Sequence, residues 1–224
     1  MRGSICARTT DMFNLVRSSV GAAARRSVYP AVYVLGFIPA VWTFHLAVTD
    51  QLGADPLKVL ERSLGLWSLR VLVAGLAISP LRRFTDINLI RFRRPIGLLA
   101  FFYAVLHVTV YAWLDQGLDL AAIWKDIVKR PYITVGMLAF LILVPLAATS
   151  NGYSLRKLGP AWHRLHRWVY LAAAAAALHF AMLVKSLTAE PLLYAGLVSG
   201  LLAVRLLPKA AGGARRRSAL AANK

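Results

Sequence analysis

The chain has 224 residues, 58% hydrophobic and 16% charged, with a formal net charge of +18 and a mean hydropathy of +0.59. A soluble domain of this size cannot cover so much apolar surface, so the composition places the chain in a membrane. Lys and Arg cluster between apolar runs and form no single basic face, so the charge speaks to topology and argues against a nucleic-acid partner.

Residues 1–28 are basic, with Arg2, Arg25 and Arg26 among them, and lack the apolar core and cleavage site of a signal peptide. They are expected to form a disordered cytoplasmic tail. Cys6 is the single cysteine, so no intrachain disulfide and no Cys-ligated metal or iron–sulfur centre can be built. Six apolar segments follow, at about Tyr29–Val48, Leu64–Leu81, Pro95–Leu114, Tyr132–Ala148, His166–Val184 and Pro191–Leu207. Each approaches the ~20 residues that cross a hydrocarbon core of about 30 Å.

The loops between them alternate in charge. The first, from Thr49 to Ser63, sets Asp50, Asp55 and Glu61 against Lys58 and Arg62. The second carries Arg82, Arg83, Arg91, Arg93 and Arg94 against Asp86. The third balances Asp115, Asp119 and Asp126 with Lys125, Lys129 and Arg130; the fourth holds Arg156, Lys157, Arg164 and Arg167 with no acid. The turn near Glu190 is almost uncharged, and the C-terminal stretch carries Lys209, Arg215, Arg216, Arg217 and Lys224. This alternation predicts an all-α integral membrane protein, a six-helix bundle with both termini cytoplasmic. Residues 29–208 form the transmembrane domain on this reading, with 209–224 a second basic cytoplasmic tail.

No internal repeat is evident. Pro80, Pro95, Pro131, Pro160 and Pro191 are expected at helix ends, and Pro39 and Pro145 inside spans as kinks. Gly196 and Gly200 form a small-xxx-small pair, readable as a close-packing device or as ordinary membrane glycines.

Three of the histidines in or at the ends of these segments, His107, His166 and His179, point to a function. Imidazole is costly in lipid and usually faces a protein interior with a task. If helix three enters near Pro95, His107 lies ~18 Å along it; if helix five enters from the same side near His166, His179 lies ~20 Å along it. Two histidines at one depth on two helices are what a six-coordinate haem between helices requires. His166, at the opposite end of helix five, suits a second haem. Its partner position in helix three holds Arg93 and Arg94, and a guanidinium is a poor iron ligand. The residues thus predict one bis-His haem b site, His107 with His179, and half of a second at His166. His163 reads as a solvated loop residue and His45 as an interfacial polar residue. Arg70 sits about two turns inside helix two with no acid expected at its depth; it either pairs with a haem propionate or snorkels to the interface. The basic inner loops read mainly as topology signals, with haem propionates or a flavin phosphate as their other use.

At these residues the chain resembles the MsrQ (YedZ) family, haem-binding membrane subunits of a bacterial protein-methionine-sulfoxide reductase system within the ferric-reductase-like transmembrane group. The resemblance rests on Leu52-Gly-Ala-Asp-Pro56, Ile78-Ser-Pro-Leu-Arg82, Arg91-Phe-Arg-Arg94, and Leu106-His107 with Tyr111. It continues through Arg130-Pro-Tyr132, Thr149-Ser150, Trp162 to His166, Tyr170, His179, Val184-Lys185, Pro191-Leu192 and Tyr194-Ala-Gly196. It spans about residues 30–208.

The resemblance implies a multi-pass protein of the bacterial inner membrane that takes electrons from the quinone pool or a flavin reductase. It implies haem b on His107, His166 and His179, and bound FMN. It further implies a heterodimer with a periplasmic molybdopterin-containing catalytic subunit (MsrP-like) that reduces methionine sulfoxide in oxidised envelope proteins. The chain would then be an electron-transfer subunit, not catalytic on its own. Two other readings compete. A small transporter with proton-relay histidines would usually show repeats and several intramembrane acids. The other is a ferric-reductase-type electron carrier with another partner; a stand-alone ferric reductase would normally bring a fused NAD(P)H/flavin domain.

Overall fold

The computed structural model describes residues 29–85, 87–183 and 188–206. The expected tails at 1–28 and 209–224, with Cys6, Asp86, Val184 and Lys185, lie outside the described residues. All regular structure among the described residues is helical, as expected. Helices α1 (Tyr29–Val48) and α2 (Pro56–Thr85) are followed by a 3-10 turn at Ile90–Phe92, α3 (Arg93–Thr109) and a π-helical turn at Val110–Asp115. Then come α4 (Leu120–Lys129), α5 (Pro131–Ala148), α6 (Gly152–Leu158), α7 (Pro160–Leu165), a 3-10 turn at His166–Trp168, α8 (Val169–Leu183) and α9 (Ala189–Leu206).

Four helical stretches among the described residues are long and apolar enough to cross a membrane: α1, α2, α3 with its flanking turns, and α5. The chain is a membrane protein. Among the described residues α8 has 15 residues and α9 has 18; length and composition mark four spans there, where charge alternation predicts six.

Helix α2 lies along α3, α5 along α8, and α9 against α8 and α2. The alanine run of α8 permits close approach: Ala172, Ala173, Ala175 and Ala177 are all buried. Helix α1 is held by Tyr103 of α3, which is fully buried. Its hydroxyl donates to the Gly36 carbonyl at 2.6 Å and accepts from the Ala40 N–H at 3.1 Å. Those two groups are an i, i+4 pair, so the tyrosine inserts into the ladder of α1 beside Pro39. A side chain at Gly36 would collide with Leu99 of α3.

Several sequence expectations change here: α2 already begins at Pro56, within the stretch expected as the first loop, and the fourth loop carries α6 and α7. Pro80 does not end the second helix but lies inside α2, which runs on to Thr85. Proline lacks an N–H and leaves the carbonyl four residues earlier without its helical partner. Arg205 of α9 supplies one, its Nη2 donating to the Leu76 carbonyl at 2.9 Å while Nη1 donates to the Tyr170 hydroxyl. The stretch read as a loop after the third span contains α4. Asp119 caps it, Oδ1 accepting from the N–H groups of Ala121 at 2.9 Å and Ala122 at 3.0 Å.

Candidate functional site

His107 stands in the last turns of α3 and His179 in the last turns of α8. Their ring centroids are 6.3 Å apart, so the matched depth expected from the sequence becomes contact distance. The Nδ1 of His107 is 2.9 Å from the Glu61 carbonyl of α2. The Nδ1 of His179 is 2.7 Å from the Tyr132 carbonyl of α5. A carbonyl oxygen can only accept, so both Nδ1 atoms carry the proton and both Nε2 atoms keep a free lone pair.

Each ring is seated by the same device. Glu61 and Gly65 are i, i+4 on α2; Tyr132 and Gly136 are i, i+4 on α5. In each pair the carbonyl binds the imidazole and the glycine leaves room for it. A Cβ at Gly65 would lie 3.0 Å from Nδ1 and 3.1 Å from Cε1 of His107. At Gly136 it would lie 2.8 Å from Nδ1 and 3.0 Å from Cε1 of His179. Any side chain there would push the ring away. Gly196 and Gly200 meet nothing within 4 Å, so the small-xxx-small pair is not a packing contact among the described residues.

The two histidines line a cavity of about 420 Å³ between α2, α3, α5 and α8, with Leu69, Ala104, Met137, Phe140, Leu143 and Phe180 on its apolar walls. That volume falls in the range of cofactor and small-ligand sites. Among the described residues no group of three or more His, Cys, Asp or Glu could hold a bare metal ion. A pair of neutral imidazoles is instead what a metal already held by a planar macrocycle asks of a protein. Two imidazoles with open Nε2 atoms at the wall of an apolar cavity are the donor set that haem iron takes. The residues fit a haem.

The cavity rim is charged. Lys58, Glu61, Arg62, Tyr111, Asp115 and Arg130 line it. The Tyr111 hydroxyl donates to Asp126 Oδ2 at 3.3 Å, Asp126 Oδ1 pairs with Arg130 Nε at 3.3 Å, and Arg130 Nη1 donates to the Tyr132 hydroxyl at 3.3 Å. Arg70 is not among the lining residues. Contrary to the expectation that no acid lies at its depth, its Nη2 is 3.6 Å from Glu190 Oε1, and its Nε donates to the Tyr194 hydroxyl at 2.9 Å. The near-neutral turn where Glu190 was read is the first turn of α9, which packs on α2.

His166 is elsewhere, in the 3-10 turn before α8. Its ring stacks on Trp162 at 3.7 Å between centroids, its Nδ1 donates to the Trp162 carbonyl at 3.1 Å, and Ser150 Oγ is 3.4 Å from its Nε2. Arg94 is nearby, its Nε donating to the Ser150 carbonyl at 2.6 Å. No second histidine faces His166 among the described contacts; His163 is exposed beside Trp162, and His45 is exposed on α1. Glu61, Gly65, Tyr132 and Gly136 were not singled out as holders of the rings. Backbone carbonyls carry no side-chain signature, and only the glycine four residues on, at the depth of each histidine, could have marked them.

A family model described as ferric reductase like transmembrane component matches residues 63–177. The chain is 57% identical over 175 residues to proteins named protein-methionine-sulfoxide reductase heme-binding subunit MsrQ from Brucella ovis, Brucella canis and Brucella suis. The match covers 78% of this chain and 80% of each relative. No solved structure matches it. With a matching family model and 57% identity over 78% of its length, the chain belongs to the MsrQ family of ferric-reductase-like transmembrane proteins.

Proposed function

We propose that the chain is a b-type cytochrome subunit that passes electrons from the quinone pool to a periplasmic molybdopterin enzyme reducing methionine sulfoxide in envelope proteins. The observation that carries this is the His107–His179 pair: rings 6.3 Å apart, both Nδ1 protons given to backbone carbonyls, at a cavity of cofactor size. A haem bound there supplies one-electron exchange at iron. His107 and His179 would ligate it through Nε2. Glu61 and Tyr132 fix the tautomer and the ring planes and raise the basicity of the ligands. The apolar walls exclude water, and Lys58, Arg62 and Arg130 at the rim offer charge-assisted partners to its carboxylates. Arg70, held by Glu190, would support that rim from behind, through Arg62, whose Nη2 is 4.0 Å from the same glutamate.

The topology belongs to the same reading. Helices α8 and α9 complete six spans in the bacterial inner membrane, with both termini cytoplasmic and the paired histidines toward the periplasm. The donor pool, the FMN and a ligand role for His166 rest on the family resemblance. The Trp162–His166 stack, with Arg94 beside it, supports a flat cofactor at the opposite end.

Haem quantitation on the purified membrane protein tests this. A reduced-minus-oxidised b-type spectrum is expected from the wild type, and the same haem is lost from His107→Ala and His179→Ala. A colourless protein made with ample haem sinks the cytochrome. Full haem loss in His166→Ala with none in His107→Ala sinks the pairing.

A further inference from the structure

We infer that α4 is an interfacial membrane anchor, lying along the bilayer surface at the end of the bundle that carries His107 and His179. Nine of its ten residues fall into three lengthwise sectors. Ala122, Ile123, Asp126 and Ile127 are half-buried and face the bundle. That side is tied down by Tyr111 on Asp126 and by the Thr134 hydroxyl donating to the Ile127 carbonyl. Leu120, Trp124 and Val128 form an i, i+4, i+8 line and are 77%, 68% and 64% exposed. Lys125 and Lys129 form a third line, also exposed, about 100° further round the helix.

Protein, oil and charge on three sides are the surroundings of a helix on the flank of a bundle at headgroup level. The apolar line enters the acyl boundary, and the lysines beside it meet lipid phosphates. Tryptophan favours that zone. The line also continues an existing lipid-facing surface: Trp113 and Leu114, in the π turn that ends the preceding span, are 62% and 47% exposed. A water-facing position would leave this apolar stripe uncovered. The anchor matters for the site, because Asp126 holds Tyr111 and Arg130 at the cavity rim. Fixing α4 in the interface fixes the rim at the membrane surface.

Spin labels on the full chain in phosphatidylcholine–phosphatidylglycerol nanodiscs test this. In a Cys6→Ser background, Leu120→Cys, Trp124→Cys and Val128→Cys should favour collisions with oxygen over a nickel chelate several-fold more than Lys125→Cys and Lys129→Cys. Equal ratios at the five sites overturn the anchor and return the stripe to water, where it would be a face for a protein partner. A gentler change guards against misfolding. Quenching of intrinsic fluorescence by brominated lipid should fall in Trp124→Phe, and unchanged quenching overturns the proposal.

Discussion

At the scale of single residues, the site is set by two glycines and two carbonyls that no chemical motif announces. His107 and His179 were legible because topology converts sequence position into depth, and equal depth on two helices is a rare coincidence. Their seats were not legible, since a carbonyl is the same at every position and glycine is common in membrane helices. The seats make a graded prediction. Gly136→Ala places a methyl 2.8 Å from the His179 ring, closer than the 3.0 Å of Gly65→Ala from His107. Overpacking of this kind costs roughly 1–3 kcal/mol. Gly136→Ala should therefore lower haem content and Tm more than Gly65→Ala, and both should shift the low-spin electron paramagnetic resonance signal while keeping both histidines. An alanine at either position that leaves signal and Tm unchanged would show that the ring does not rest there. Arg70 makes the opposite lesson. The intramembrane charge was visible, but the acid beside it was not, because Glu190 reaches it only through the packing of α9 on α2.

At the scale of the elements, α2 continues through Pro80 on the strength of a residue more than a hundred positions away. The carbonyl of Leu76, deprived of its helical donor, is bonded by Arg205. Removing Arg205 alone leaves that carbonyl unpaired, at a cost of about 1–3 kcal/mol. Restoring an N–H with Pro80→Ala lets the helix satisfy Leu76 itself. In a double-mutant cycle followed by thermal unfolding in detergent, Arg205→Ala should be destabilising in the wild type and about 1 kcal/mol milder in Pro80→Ala. Strict additivity would mean that the arginine serves Tyr170 alone. The sequence pattern located Pro80 and assigned it the commonest role of a proline, a helix end. The compensation lies in tertiary structure, so no local reading could supply it. The same holds for α4, whose short amphipathic pattern was hidden inside a stretch read only for charge.

At the scale of the whole molecule, the apolar segments emerged clearly from composition, and all six coincide with helices. What length alone does not establish is which of them cross. Helix α8 is described over 15 residues, and α9 brings Glu190 and Arg205, both engaged by α2. Glu190 pairs with Arg70, and Arg205 donates to the Leu76 carbonyl and the Tyr170 hydroxyl; pairing of this kind makes a charged span tolerable in lipid. Reporter fusions that are active only in the periplasm should be silent when placed before residue 29 or after residue 206, and active in the α4 region. Activity at both chain ends would reverse the topology and carry the His107–His179 cavity to the cytoplasmic face. A silent α4 fusion with active ends would say the same.

The seats of the two imidazoles come from α2 and α5, yet the rings themselves come from α3 and α8. During synthesis the first seat meets its ring early, since α2 and α3 are neighbours in the chain. The second waits empty beside Gly136 until α8 leaves the ribosome. A nascent chain that stops short of His179 holds one half of a binding pair and one vacant notch. On the function proposed above, a haem held by both rings could be completed only once α8 has been made, so unfinished chains would be denied the redox-active group.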